Sequence, residues 1–311
     1  MWEVTYKSDD KANVANPFGS KSAIMFSGSG DVDGLGTASF YASTNDDNGS
    51  TLLSHNVLLD MGDMGTIGFD QGVGTFGAGT IDDKSPTAWE ESWHNTANSS
   101  GGLVHTGGSG GVLGYSNSIS GFDVSIEYAP SLTSADNGDG ASGGDNTSFA
   151  NGSNLNFAIN NSSLIDGLTF GVGAGQSEYD DTSIAGRNDG SSVVGYANYT
   201  MGAITAGITL SDSHNIRSAT ATASNIGGRE VEAYGVAFAV NENLSISYNE
   251  HNMTYKKTAG NADVEQESTG IAIAYTMGGA TVVIQNNSQD NTGGTAGSND
   301  EITEISLSLA F

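Results

Sequence analysis

The 311-residue chain has no cysteine, three prolines and nine lysines and arginines together. The lack of cysteine fits maturation in an oxidising compartment without reliance on disulfides. The shortage of basic residues, set against 36 aspartates and glutamates, gives a formal net charge of -27. Such a chain repels nucleic acid, so no nucleic-acid partner is expected. No apolar run approaches the ~20 residues that a membrane-crossing helix needs. Charged residues make up 14% and hydrophobic residues 36%. Both fractions fall below the roughly 25% and ~45% usual for soluble domains. The apolar content is too small for a conventional core of this length, yet too rich in β-branched and aromatic residues for disorder. A closed barrel is the remaining way to span lipid, because every backbone N–H and C=O must there be paired internally.

What the sequence has in abundance is alternation. In Phe122-Asp123-Val124-Ser125-Ile126-Glu127-Tyr128 the four apolar residues share one face of a strand and the three polar ones share the other. The same period of two recurs at Leu168, Phe170, Val172 and Ala174, and at Ile204, Ala206, Ile208 and Leu210. It continues through Tyr234, Val236 and Phe238, then Leu244, Ile246 and Tyr248, then Ile271, Ile273 and Tyr275. The last row is Ile305, Leu307, Leu309 and Phe311, and the residues between are mostly Gly, Ser, Thr and Asn.

Connections alternate in length. Short turns are expected at Asp31-Val32-Asp33-Gly34, Met61-Gly62-Asp63, Met201-Gly202, Asn241-Glu242-Asn243 and Met277-Gly278-Gly279. Between them fall polar, glycine-rich segments at 130–150, 178–190, 212–228, 254–266 and 290–300. Counting runs and turns gives about sixteen strands, an even number suited to an outer-membrane barrel with short turns at one rim and long loops at the other. The expected architecture is all-β: one transmembrane, antiparallel, up-and-down barrel over residues 1–311. The 45 glycines suit a tilted, curved wall. Trp2-Glu3-Val4-Thr5-Tyr6 already alternates, so a mature or trimmed form with its targeting segment removed is expected.

The hairpin Leu58-Leu59-Asp60-Met61-Gly62-Asp63-Met64-Gly65-Thr66-Ile67-Gly68-Phe69, the long segment after it and the terminal Ser306-Leu307-Ser308-Leu309-Ala310-Phe311 resemble the general diffusion porins of Gram-negative outer membranes, most closely their alphaproteobacterial branch. The resemblance covers essentially the whole chain. It implies a water-filled channel for passive diffusion of small hydrophilic solutes, not an enzyme, with no cofactor required. It also implies an outer-membrane location, contact with membrane lipid and lipopolysaccharide, and a homotrimer. Phe311 would be the terminal signal read by the barrel-assembly machinery. In the family, the loop after the fifth strand folds inward and narrows the pore, which implies that residues 71–110 form the constriction loop. Within it, Thr80 to Trp93 lacks strand alternation and is the one stretch where a short helix is expected.

On this reading Asp82, Asp83, Glu90 and Glu91 supply the negative side of the throat, with Lys84 and Trp89 among them. The family completes a transverse field with a basic wall, for which this sequence offers only Lys7 and Lys21 near the early strands. A throat so short of basic residues is expected to favour cations and zwitterions. Solvated loop charges are the alternative for each of these carboxylates.

Three acidic clusters, Asn45–Gly49, Asp136–Gly140 and Glu178–Asp181, are oxygen-rich in the manner of loosely held Ca²⁺ or Mg²⁺ sites, though none has EF-hand spacing, and solvated loops are the blander account. Trp2, Tyr6, Tyr128, Tyr199, Tyr248, Tyr275 and Phe311 are candidates for aromatic girdles. His55, His94, His105, His214 and His251 lack metal-ligand spacing and read as wall or loop residues, leaving any metal site unassigned. Two alternatives remain: a substrate-selective porin, which Trp89 and Trp93 keep open, and a secreted Ca²⁺-binding β-rich adhesin or surface-layer protein. The nearest approach to a calcium repeat, Gly28-Ser29-Gly30-Asp31-Val32-Asp33-Gly34, stands alone.

Overall fold

In the computed structural model, which describes residues 2–9, 17–45, 52–103, 111–130, 152–178, 189–214, 226–257 and 261–309, the alternating segments become strands of one closed sheet. The first eight are β1 (Trp2–Asp9), β2 (Phe18–Val32), β3 (Gly36–Asn45), β4 (Leu52–Asp60), β5 (Thr66–Gln71), β6 (Val112–Ile119), β7 (Phe122–Ala129) and β8 (Asn154–Asn161). The second eight are β9 (Leu168–Ser177), β10 (Gly190–Met201), β11 (Ile204–His214), β12 (Ile226–Ala239), β13 (Leu244–Lys257), β14 (Val264–Met277), β15 (Ala280–Asp290) and β16 (Asp300–Leu309). Each strand pairs antiparallel with its neighbours in sequence, and β1 closes the circle on β16 with Trp2 opposite Leu309. The described residues form sixteen strands, against the expected count of about sixteen. Closure matters because a barrel leaves no unpaired strand edge in lipid.

The outer surface is apolar for a reason that register makes visible. Phe238 pairs with Ile246, Ile246 with Ile273, Ile273 with Ile284, Ile284 with Ile305, Ile305 with Tyr6 and Tyr6 with Phe18. This row crosses seven strands, and its members are all exposed, Phe18 by 65%. In water such a continuous patch invites aggregation, whereas against acyl chains it is the required surface. Tyr6, Tyr128, Tyr199, Tyr248 and Tyr275 are also exposed on this face. Toward the long-loop rim the outer face turns polar: Tyr234 pairs with Glu250, and further up Glu232 pairs with Asn252 and Asn252 with Glu267. Lys256 bonds Glu230 at 2.7 Å there.

The five expected short turns all fall at one rim, between β2 and β3, β4 and β5, β10 and β11, β12 and β13, and β14 and β15. Gly202 and Gly278 sit in the left-handed region there, at φ 61° and 60°, which a side chain would disfavour. The strand ends joined by the long connections are at the other rim. The clusters at Asp136–Gly140 and Asp46–Gly49, most of Glu178–Asp181, His105 and Phe311 lie outside the described residues. The facing side of the wall is polar and mostly uncharged, with Ser125, Asn156, Ser211, Ser247, Asn249, Gln285, Asn287 and Gln289 buried on it.

Candidate functional site

All of those inner polar side chains but Ser211 bond to the connection between β5 and β6, which lies on them. It starts under β4 and β5, where Asp70 accepts from the backbone N–H of Val73 and Thr75 at 2.8 and 2.7 Å. A 3₁₀ turn at Gly77–Thr80 then docks on β7 and β8: Gly77 N–H donates to Ser125 Oγ at 2.8 Å and Ala78 N–H to Asn156 Oδ1 at 2.6 Å. Next, Asn198 of β10 donates to the Lys84 carbonyl at 2.7 Å. On β13, Ser247 Oγ accepts from Ala88 N–H at 2.8 Å. On β15, Gln285 donates to the carbonyls of Glu90 and Glu91, and Asn287 to those of Glu91 and His94. The far end reaches β16, where Asp300 accepts from Ala97 N–H at 2.6 Å.

This pattern explains why the helix expected within Thr80–Trp93 is absent. Its backbone groups are satisfied by wall side chains, Pro86 has no N–H to contribute, and Asp83 takes a left-handed φ of 46°. Only the four-residue 3₁₀ turn at Gly77–Thr80 and turns near Ser92–Asn95 are helical in local character.

The glycines of the strands trace the loop's path. A Cβ on Gly114 would meet the Phe76 ring at 2.0 Å, one on Gly173 the Ile81 side chain at 2.9 Å, and one on Gly235 the Pro86 carbonyl at 2.4 Å. Gly270 keeps the same clearance for Ser92. Glycine at these inner positions therefore lets the loop lie flush on the wall, in addition to any part it plays in curvature. Phe76, Ala78 and Ile81 are fully buried, and Ile81 forms a small apolar cluster with Ala158 and Val194 that anchors the loop.

The loop brings the acidic residues together. Burial, and then repulsion from Asp83, push the Asp82 carboxyl up to about 7, although Lys84 opposes the shift. Burial and then Asp83 likewise push Glu91 up to about 7, with Glu90 and Asp82 adding to it. Asp83 is raised as well, by burial, against the pull of Lys84. Asp83 is exposed at its surface, yet enough protein crowds it to strip part of its hydration. Asp82, Asp83 and Glu91 share one field, with Lys84 as the counter-charge beside Asp82 and Asp83.

Lys7 sits elsewhere, at the loop's far end, donating to Asn95 Oδ1 at 2.7 Å. Lys21 is the backbone partner of Glu3 across β1 and β2, and its side chain lies outside the described part. Facing the loop from β3 and β4 are Ser39, Tyr41, Ser43, Asn56 and Leu58, and no described lysine or arginine side chain stands on the inner face of β2 to β5. Trp89 and Glu90 line a cleft of about 290 Å³ with His94, Asn95, Glu3, Lys7 and Glu304. Among the described residues, no three His, Asp or Glu gather as metal ligands.

Sequence reasoning missed Asn95, Asn98, Glu304 and Arg229. Asn98 donates to Tyr255 Oη and Gln266 Oε1 at 2.6 and 2.8 Å, and Arg229 lies over the Tyr255 ring at 5.6 Å. None of them carries a local pattern, since each partner is remote in sequence.

The profile of Gram-negative porins matches residues 1–309. The chain belongs to this family. It is thus an outer-membrane porin of a Gram-negative bacterium, and its barrel has the fold of solved porins. A porin structure refined at 1.8 Å resolution is 15% identical with a TM-score of 0.69, with all of this chain and 98% of that chain covered. The Salmonella typhi OmpF complex with daunomycin is 13% identical, with a TM-score of 0.66 over 98% of this porin and 95% of that chain. The anion-selective porin from Comamonas acidovorans is 14% identical, with a TM-score of 0.65 over 100% and 97%. A search of curated proteins gives no sequence match for this porin.

Proposed function

We propose that this porin is a passive diffusion channel for small polar solutes and ions that prefers cations and makes or breaks no bonds in them. The observation that carries the reading is the surplus of acid on the loop: Asp82, Asp83, Glu90 and Glu91 lie on it, and the described side chains on the inner face of β2 to β5 include no lysine or arginine, Lys7 on β1 bordering Glu90 alone. Fixed charge of one sign at a narrow place concentrates counter-ions and excludes co-ions. The Comamonas acidovorans porin shares the fold and is described as anion-selective, so selectivity belongs to the throat side chains and not to the barrel. Lys84 moderates the acidic field, and Trp89 lends the throat an apolar surface. Catalysis has no place in this account, because the described throat residues offer no nucleophile paired with a base.

We further propose a homotrimer embedded in outer-membrane lipid and lipopolysaccharide, with the seam of β1 and β16 near the subunit contact and the terminal strand through Phe311 read by the barrel-assembly machinery. Any Ca²⁺ would be held loosely at the acidic loops. Swelling of liposomes carrying the purified protein tests the channel directly. Neutral sugars and small organic cations should enter readily and organic anions of equal size slowly; equal entry of cations and anions would defeat the cation preference, and no swelling would defeat the channel.

A further inference from the structure

Two cations of the inner wall meet on one aromatic ring. Arg229 of β12 lies opposite Tyr255 of β13, with its guanidinium carbon 5.6 Å from the centre of that ring, and Lys257 Nζ stands 5.7 Å from the same centre. Tyr255 packs with Val231, Met253 and the loop's Leu103, which puts the group on the lumen side of the wall. β12 begins and β13 ends at the rim of the long connections, so the pair sits toward that mouth of the pore.

Neither cation has an anionic partner. A cation–π contact draws on the charge without satisfying an N–H donor. Among the described residues neither side chain makes a hydrogen bond or an ion pair, and Arg229 Nε is buried without an acceptor. The carboxylates nearby are committed elsewhere: Asp263 accepts from the Lys257 backbone N–H at 2.9 Å and pairs with Lys256 at 3.5 Å, and Glu230 holds Lys256 at 2.7 Å on the outer face. Along the inner face Asp300 is three strands away and accepts from Ala97 N–H. The register partners on β11 and β14, Ser213 and Val264, are uncharged, as is the loop at Asn98 and Gly102. The adjoining segments 104–110, 215–225 and 258–260 lie outside the described residues; by sequence they contain no aspartate or glutamate, and their titratable residues are His105 and Arg217.

We propose that Arg229 and Lys257 form a site for phosphate-bearing solutes at the mouth of the pore. The two terminal nitrogens of the guanidinium donate to two phosphoryl oxygens, Lys257 meets the second negative charge, and Tyr255 holds both cations against its ring. A dianionic phosphoryl group matches the two charges, whereas a monoanion leaves one unmet and gains less against the negative charge of the whole chain. The position on the inner face selects a dissolved solute over a lipid phosphate. The throat carboxylates oppose onward passage of the bound anion, so the site retains it at the mouth. This inference rests on the channel reading above and adds to it a class of solute that is captured and not passed.

NMR on the purified barrel in deuterated nonionic detergent tests it, with methyl phosphate and methyl sulfate as probes alike in shape and different in charge. At about pH 8, where a phosphate monoester is a dianion, methyl phosphate should show saturable broadening of its methyl signal. Methyl sulfate should bind about tenfold more weakly, the loss of one charge-assisted contact. Lys257→Gln should bring methyl phosphate down to the level of methyl sulfate, and Arg229→Lys, which keeps the charge and loses the paired donors, should weaken both. Lys256→Gln removes the neighbouring cation on the outer face and should leave binding unchanged. Equal binding of the two probes would overturn the site, as would equal losses in Lys256→Gln and Lys257→Gln, or a methyl phosphate signal that stays sharp. Because no current is read, those results leave the diffusion channel standing; that reading falls separately if no channels open in a bilayer.

Discussion

The Asn95 side chain stands between Lys7 and Glu304, accepting from the ammonium at 2.7 Å and donating to the carboxylate. Lys7 and Glu304 are register partners on β1 and β16, so this amide ties the inward loop to the seam at which the barrel closes. Glu304 is 4% exposed, and losing its donor would leave a buried carboxylate poorly satisfied. Asn95→Leu is therefore expected to cost about 1–3 kcal/mol and to free the loop's far end. Urea titration of the folded barrel measures the first effect, and increased open-channel noise reports the second.

The wall glycines give a steric prediction. Gly235→Val places methyl groups where the Pro86 carbonyl and ring now lie, and that backbone has nowhere to retreat except into the pore. The expected cost is about 1–3 kcal/mol, with a lower single-channel conductance. Gly202, which has nothing within 4 Å of an added Cβ, is a turn residue away from the loop, so Gly202→Ala should leave conductance unchanged and lower stability slightly through its positive φ.

The acidic throat should respond to pH near neutrality. Asp82 and Glu91 are pushed up to about 7, so they are neutral in acid and become charged as pH rises through about 7. Cation selectivity, measured as reversal potential in a salt gradient, should accordingly rise between about pH 5 and about pH 9. Stability runs the other way. The folded state binds these protons more tightly than the unfolded chain, so their contribution is complete below the ordinary carboxylate range and is lost as pH rises through about 7. The Asp82→Asn, Glu91→Gln double variant should flatten both profiles; a selectivity that keeps its slope in that variant would place the titrating groups elsewhere.

Much of the barrel was legible in the sequence because lipid imposes a strict rule on one face. Phe122, Val124, Ile126 and Tyr128 alternate with polar residues, and the short turns at Met201-Gly202 and Met277-Gly278 break such runs at regular places. The loop was legible as an interruption of that pattern. Its fastening was not: Ser125, Asn156, Ser247 and Asn287 read as ordinary wetted residues, and only the fold brings a loop against them. Lys7 and Asn95 are separated by 88 positions, so no local spacing could join them. The expected helix failed for a related reason, because wall side chains took the backbone bonds a helix would have made.

The central claim is that the loop's carboxylates make the throat selective for cations. Reversal potential across a planar bilayer under a KCl gradient, at a pH above 7, measures this most directly. The account predicts stepwise channels whose reversal potential has the sign of a K⁺-selective pore and moves toward zero when Asp82, Asp83, Glu90 and Glu91 are all neutralised. A chloride-selective potential, or a K⁺-selective one that survives neutralisation unchanged, would contradict it.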